Sequence, residues 1–434
     1  MSTTTHGTVR NRRCTGSITW LAGTMLVGIA LTLVACQAPQ DTPTQAAVQP
    51  AGAATPSPGP AAFAGPGVPQ FEFDPTWPKL PLPNNWIFGN MSGVHVDEKD
   101  HVWILQRGNT VQLDLGDDYL EAGSAECCTP APSVVEFDPA GNIVQAWGGP
   151  GAKANRSTGI GMPRTGDIPR VQGVEWPREH SLFVDHEHNV WMGCNDTING
   201  QHCAVLTKYT SDGKVIWQKG KTGQAKGNTD TENFGEPAGI FVDATTNEAY
   251  IADGYWNRRV VVIDAKTGAF KRMWGAYGKP VEETKAGYSV PYDPSAPLSK
   301  SFGSSVHCIE VSRDGLVYAC DRQNNRVQVF KRDGTFVKEV VVAPQTKANG
   351  AAFDIAFSPD PEQRFLYLGD GRNHKVHILR RDTLEVVGSF GHGGRAGGEF
   401  GVVHVLASDS QGNLYVGETV VRDRIQKFKF VGMK

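Results

Sequence analysis

Short runs of alternating apolar and polar residues, each closed by a tight polar turn, recur along this chain from Phe88 onward. Six segments share one pattern: an apolar strand, a turn, then a second strand. They are Gly93-Val-His-Val-Asp-Glu-Lys-Asp-His-Val-Trp, Ser181-Leu-Phe-Val-Asp-His-Glu-His-Asn-Val-Trp and Gly239-Ile-Phe-Val-Asp-Ala-Thr-Thr-Asn-Glu-Ala-Tyr. The others are Cys308-Ile-Glu-Val-Ser-Arg-Asp-Gly-Leu-Val-Tyr, Asp354-Ile-Ala-Phe-Ser-Pro-Asp and Val405-Leu-Ala-Ser-Asp-Ser-Gln-Gly-Asn-Leu-Tyr. Period-two alternation with Asp-Gly and Gly-Asn turns predicts short antiparallel strands. A second hairpin follows most repeats, as in Val134 to Val144, Val260 to Phe270 and Val327 to Phe336. Two hairpins make a four-stranded sheet, and such sheets repeated radially make a β-propeller. The prediction is an all-β, six-bladed β-propeller over 69–434.

The last repeat ends one strand short, at Arg424 to Phe430, and Gln70-Phe-Glu-Phe-Asp has strand character without a partner of its own. That N-terminal segment is therefore expected to close the ring and cover an open sheet edge. Phe88, Trp176, Phe234, Phe302 and Phe400 precede the repeats by a few residues and read as packing between blades. The glycine-rich run Gly391 to Gly398 precedes a strand rather than a helix, which argues for a connection between blades and against a phosphate loop.

The first residues break the pattern. Arg10, Arg12 and Arg13 precede an uncharged apolar run, Ile18 to Val34, which ends in Leu33-Val34-Ala35-Cys36. This resembles a bacterial lipobox, in which a cysteine is lipidated and becomes the new N-terminus. The other reading is a transmembrane anchor, since the run is near the lower length limit for spanning. The lipobox reading makes 1–36 a lipoprotein signal peptide and Cys36 a membrane anchor. Gln37 after the cysteine points by the same resemblance to the outer membrane, facing the periplasm or the surface. Residues 37–68, rich in Ala, Pro, Gln, Thr and Gly, read as a disordered tether. Formal net charge is −3 with no basic stripe, so nucleic acid is not an expected partner.

Export permits disulfides. Cys308 and Cys320 lie symmetrically about the Asp314-Gly315 turn, and Cys194 and Cys203 bracket a short polar loop. Both are candidate pairs, with free buried thiols as the alternative. The adjacent Cys127 and Cys128 stay open.

Candidate chemistry comes from the repeat register. Five places before the Asp or Ser ending each first strand stand Ser92, His180, Ala238, His307, Phe353 and His404. Histidine thus falls in the second, fourth and sixth repeats. Alternate blades lie roughly 120° apart around the central channel, so the three imidazoles converge on one axis. Three imidazoles with an open fourth position form the ligand set of a catalytic zinc site. The plainer reading is three polar residues lining a wet channel. His95, His101, His186, His188, His202, His374, His377 and His392 lie off this register.

At this point the chain resembles the NHL-repeat propellers, and among them the lyase domain of the peptidylglycine α-amidating enzymes. The resemblance spans most of Phe88 to Phe430, and Ala252-Asp-Gly-Tyr-Trp-Asn-Arg-Arg-Val is its most specific piece. It implies a catalytic tyrosine at Tyr255, active-site arginines at Arg107 and Arg322, and zinc on His180, His307 and His404. A structural calcium in that family uses backbone carbonyls near Val94 and Leu182 and an aspartate where this chain has Val405, which puts calcium in doubt. Trp256 replaces the family cysteine after the tyrosine, and the partner copper monooxygenase domain is absent from this sequence. The implied reaction is that of a carbon–nitrogen lyase, cleaving a peptidyl- or N-acyl-α-hydroxyglycine to an amide and glyoxylate. The alternative is a non-catalytic envelope propeller that binds protein or glycan around a structural metal. In that alternative, Tyr255, Arg107 and Arg322 only build polar turns and ion pairs.

Overall fold

The computed structural model describes residues 62–63, 65–110, 129–149, 179–198, 200–281, 291–420 and 422–434. Six four-stranded antiparallel sheets account for nearly all the regular structure. The molecule is a six-bladed β-propeller, as the repeats predict. Blade 1 comprises Asn90–Val96, Val102–Arg107, Val134–Phe137 and Ile143–Trp147. Blade 2 comprises Glu179–Val184, Val190–Cys194, Leu206–Tyr209 and Val215–Lys219. Blade 3 comprises Pro237–Asp243, Glu248–Asp253, Arg259–Asp264 and Phe270–Trp274. Blade 4 comprises Val306–Val311, Leu316–Asp321, Arg326–Lys331 and Phe336–Val341. Blade 5 comprises Ala352–Phe357, Phe365–Asp370, Lys375–Arg380 and Val386–Phe390.

Blade 6 takes Val402–Ser408, Leu414–Thr419 and Ile425–Met433 from the end of the chain, and its fourth strand is Pro69–Phe73. That strand runs antiparallel to the last one, from Pro69 opposite Met433 to Phe73 opposite Phe428. The first strand of each blade contacts the first strand of the next, and the sixth contacts the first. These six strands therefore line the centre.

The packed part begins earlier than the tether reading through Val68 implied. Phe63 is fully buried and stacks on Phe430 at 4.0 Å, and Val68 exchanges backbone hydrogen bonds with Lys434. One phenylalanine in a Pro/Ala-rich stretch carries no periodicity, so only the docked structure reveals it.

The repeated Asp and aromatic residues have a shared structural cause. Asp97, Asp185 and Asp409 each accept two backbone N–H groups of their turn with one carboxylate oxygen. The other oxygen accepts from the buried aromatic of the next strand: Trp103 at 3.0 Å, Trp191 at 2.8 Å and Tyr415 at 3.1 Å. The carboxylate thus satisfies the turn and the buried ring together, which an unpaired buried polar group would make costly.

Among the described residues six large core clusters are each shared by two neighbouring blades, and a small seventh gathers Cys194, Cys203 and Val205. Phe88, Phe234, Phe302 and Phe400 lie in or against these clusters, as their spacing predicts, while Trp176 falls outside the described residues. Each aromatic therefore joins two neighbouring blades, and removing one opens an interface rather than a single sheet. Trp191→Ala falls in the class of core truncations that cost about 3–5 kcal/mol.

One feature of the inner strands escapes the alternation pattern. In every blade the pairing of first and second strands slips at or beside the register position. The slips fall between Met91 and Gly93, His180 and Leu182, Pro237 and Gly239, Val306 and Ile309, Ala352 and Asp354, and Val403 and Val405. A β-bulge re-aims a side chain out of simple alternation. Ser181 adopts a positive φ of 64° at its bulge, immediately after His180.

Candidate functional site

His180, His307 and His404 meet at the centre of the ring. Their ring centroids form a nearly equilateral triangle, 5.2, 5.2 and 5.0 Å on a side. One ligand nitrogen from each lies within 4.8 Å of the others, and all three residues are buried. Each Nδ1 bonds to a backbone carbonyl of the next odd-numbered blade around the ring. His180 bonds to Ala238 at 3.1 Å, His307 to Phe353 at 2.6 Å and His404 to Met91 at 2.6 Å. A carbonyl can only accept, so Nδ1 carries the proton and the Nε2 lone pair faces the axis. The odd blades thus orient the imidazoles that the even blades supply.

Burial first, and then the neighbouring positive and imidazole groups, push His180 and His307 well below the ordinary histidine range. Burial likewise holds His404 down to about 3, with Arg322 and Arg107 adding to the effect. All three are therefore neutral at physiological pH, the state in which imidazole binds a metal. The donor set fits a single transition-metal ion such as zinc.

Tyr255 completes the constellation. Its phenol oxygen lies 3.1 Å from His180 Nε2 and 2.9 Å from His307 Nε2. Arg322 Nη1 donates to the same oxygen at 3.1 Å. The Arg322 guanidinium also lies over the rings of Tyr255 and Phe353, at 5.1 and 4.9 Å from their centroids.

The surrounding turns decide which residues are structural. Asp253 is fully buried and accepts from Gly235 N, Asn257 Nδ2 and Arg259 Nε. In the next blade Asp321 takes Gly303 N, Asn324 Nδ2 and Arg326 Nε in the same way. Asp253, Asn257 and Arg259 therefore build the turn that carries Tyr255, and Asp321, Asn324 and Arg326 build the one that carries Arg322. Arg259 and Arg326 are ion-paired at 2.8 and 2.7 Å. Arg322 is 8% exposed, and among the described residues it has no carboxylate partner and its Nε has no hydrogen bond. It is thus a buried cation facing the site.

Arg107 ends the second strand of blade 1. Its Nε donates to Glu179 O at 2.7 Å and its Nη2 to Asn195 Oδ1 at 2.6 Å. Its charge contributes to holding down His180 and His404. Both predicted disulfides are present, Cys194–Cys203 and Cys308–Cys320. Cys36, Cys127 and Cys128 lie outside the described residues.

The sequence reading did not single out Asn195, or the ring and carbonyl of Phe353. It also missed two acids below the histidines. Glu310 and Asp354 line a pocket between the inner strands with Val94, Leu182 and Val405. Burial raises Asp354 to about 7, and burial together with Asp354 raises Glu310 well above its usual range. Asp97, His101 and Glu136 also cluster, but Asp97 is engaged by its turn and Trp103, and His101 by Glu136. That cluster is a blade turn off the histidine register.

No family model matches the chain. It is 23% identical over 359 residues to peptidyl-glycine alpha-amidating monooxygenase B of Xenopus laevis, covering 80% of this chain and 34% of that protein. It is 23% identical over 351 residues to the peptidylglycine alpha-amidating monooxygenase of Rattus norvegicus, covering 79% and 30%. NHL repeat-containing protein 3 of Mus musculus is 25% identical over 273 residues, covering 61% and 58%. The chain is a distant homologue of the amidating enzymes and of this NHL-repeat protein. It spans about a third of the length of the amidating enzymes that it matches. Among solved structures, a streptogramin B lyase covers 83% of this chain and 98% of its own, with a TM-score of 0.45 at 12% identity. Virginiamycin B lyase from Staphylococcus aureus covers 83% and 89%, with a TM-score of 0.43 at 14% identity. Neither structural likeness bears on the site.

Proposed function

We propose that this protein is a zinc-dependent lyase that cleaves the N–Cα bond of a peptidyl-α-hydroxyglycine, or a related N-acyl-α-hydroxyglycine, giving an amide and glyoxylate. The observation that carries the reading is Tyr255, whose phenol lies within hydrogen-bond distance of two converging imidazoles and a buried guanidinium without a carboxylate partner among the described residues. The distant homology to amidating enzymes supports the same reaction class.

His180, His307 and His404 would hold the zinc, which when bound supplies Lewis acidity toward the substrate hydroxyl. Tyr255 takes the hydroxyl proton as general base. The C–O bond becomes the carbonyl of glyoxylate as the N–Cα pair leaves with the nitrogen, which takes up a proton to complete the amide. Arg322 and Arg107 receive the substrate carboxylate, whose shape a guanidinium matches. Purified, zinc-loaded protein should release glyoxylate from an N-acyl-α-hydroxyglycine faster than the buffer reaction. No release from any such substrate would sink the proposal and leave a metal pin in a binding propeller. In the same reading the protein works in the bacterial cell envelope, held to the membrane through a lipid on Cys36.

A further inference from the structure

At the slip between the first two strands, five of the six blades carry a glycine on one strand or the other. Gly93 and Gly239 stand on the first strand of blades 1 and 3, directly after the register position. Gly193, Gly369 and Gly417 stand across from it on the second strand of blades 2, 5 and 6. The next blade explains the glycine. A Cβ at Gly193 would lie 2.7 Å from Pro237 O, and one at Gly239 would lie 2.9 Å from His307 O. Blade 4 has cysteine at both of these positions. Cys308 and Cys320 are joined there by a disulfide, with their Cα atoms 4.9 Å apart.

That bond joins the two strands of blade 4 that reach Tyr255. Cys308 directly follows His307, and Cys320 stands two residues before Arg322. His307 Nε2 and Arg322 Nη1 lie 2.9 and 3.1 Å from the Tyr255 phenol oxygen. Both cysteines are buried in one cluster with Ala352 and Ile355 of blade 5. Between those two residues, Phe353 accepts His307 Nδ1 on its carbonyl at 2.6 Å and holds the Arg322 guanidinium over its ring. The disulfide therefore backs the segment that orients both groups. In a bulge two residues face one, so the ladder leaves the extra residue unpaired. In blade 4 a covalent bond fixes the bulge at the residue next to His307.

We propose that the Cys308–Cys320 disulfide is a positioning device for the metal centre: it holds His307 at the axis and Arg322 beside Tyr255, and so raises the affinity of the three histidines for zinc. This rests on the zinc site proposed above. A ligand held in place before the ion arrives binds more tightly, because less of the chain has to be ordered on binding. A cross-link that added only general stability would raise Tm and leave the zinc affinity where it was.

The test uses purified protein and zinc alone, with affinity read by competition against a chelating dye and Tm read on the metal-free form. Cys308→Ala combined with Cys320→Ala should weaken zinc about tenfold to a hundredfold, the range for losing a group that fixes a metal ligand. Cys308→Ala combined with Cys320→Val returns most of the lost volume without the bond, and its zinc affinity should stay weakened. It also carries the test if the first variant does not fold. Phe63→Ala removes the stack on Phe430 in blade 6 and should lower Tm without changing the affinity for zinc. Wild-type affinity in the cysteine variants would overturn the inference, and so would full recovery on adding Val, which would make the pair a filler. An equal loss in Phe63→Ala would overturn it too, by tying zinc binding to overall stability. Glyoxylate release separates the two claims. Zinc binding weakened by loss of the bond, in a protein that releases no glyoxylate, removes only the lyase reading. Release by wild type, with zinc affinity unchanged in the variants, removes only the positioning role. Wild type without affinity for zinc removes both.

Discussion

Two buried aspartates, Asp253 and Asp321, build the turns that carry Tyr255 and Arg322, so neither of those side chains is needed to hold its turn. This explains why a conservative change at Tyr255 should be informative. Tyr255→Phe removes one hydroxyl, leaves the ring under Arg322 and leaves all three imidazoles in place. The variant should fold and keep its metal, while its glyoxylate-forming rate falls by a factor on the order of 10² or more, as for loss of a general base. Full activity in Tyr255→Phe would exclude the mechanism. The histidines make a separate prediction. Replacing His180, His307 or His404 singly by Ala should sharply lower zinc occupancy measured by elemental analysis. His374→Ala should not, because that ring bonds to Gly401 O away from the axis. Equal loss from the His374 variant would mean that the register selected the wrong residues. The three histidines were legible because a repeat converts sequence position into angular position around a ring. The hydrogen bond from Arg107 to Asn195 was not, because it depends on which strand ends meet, and nothing in Cys-Asn-Asp encodes that.

At the scale of the strand, alternation and turn residues were enough to locate the blades and to pair Gln70-Phe-Glu-Phe with the last strand. They could not show the bulges, because a bulge adds one residue to a strand without changing its composition. Yet the bulge is what carries position 180, 307 or 404 to the axis instead of leaving it in the pleat. It also shapes the channel below, where Asp354 follows the slip in blade 5. Asp354 accepts from Leu406 N and Ile355 N, but burial dominates and lifts its carboxyl to about 7. An unfolded aspartate titrates near about 3.9, so between roughly pH 4 and 7 the unfolded chain gives up this proton before the folded one does. The stabilisation from the raised group is complete below that window and is lost as the pH rises through it. Asp354→Asn should therefore flatten this part of the dependence of Tm on pH, even though it sacrifices a hydrogen-bond acceptor and starts from a lower Tm in acid. A variant whose Tm falls with pH as steeply as that of wild type would show that Asp354 is not the group responsible. Glu310, raised in part by Asp354, should titrate more easily once that neighbour is neutral.

Across the whole molecule, the ring explains why one small site needs so long a chain. The three converging histidines come from blades 2, 4 and 6, the carbonyls that orient them from blades 1, 3 and 5, and the last blade is completed by a strand from the other end of the chain. The two disulfides fit a protein that folds in an oxidising compartment. Among the described residues no helix is long and apolar enough to cross a membrane. The proposed attachment rests on the leader, which lies outside the described residues, and on one chemical feature of it: a cysteine placed directly after Leu-Val-Ala at the end of the apolar run. If Cys36 carries the lipid, the full-length chain should sediment with membranes and label with a fatty-acid probe. Cys36→Ser should lose the label and either appear in the soluble fraction or accumulate as an uncleaved, larger precursor. A transmembrane anchor makes the opposite prediction, since exchanging one thiol for a hydroxyl barely changes the hydrophobicity of Ile18 to Val34. Membrane partition and processing unchanged in Cys36→Ser would thus rule out the lipid and favour the span, and the candidate site would stand either way because it is built from Met91 and residues after it.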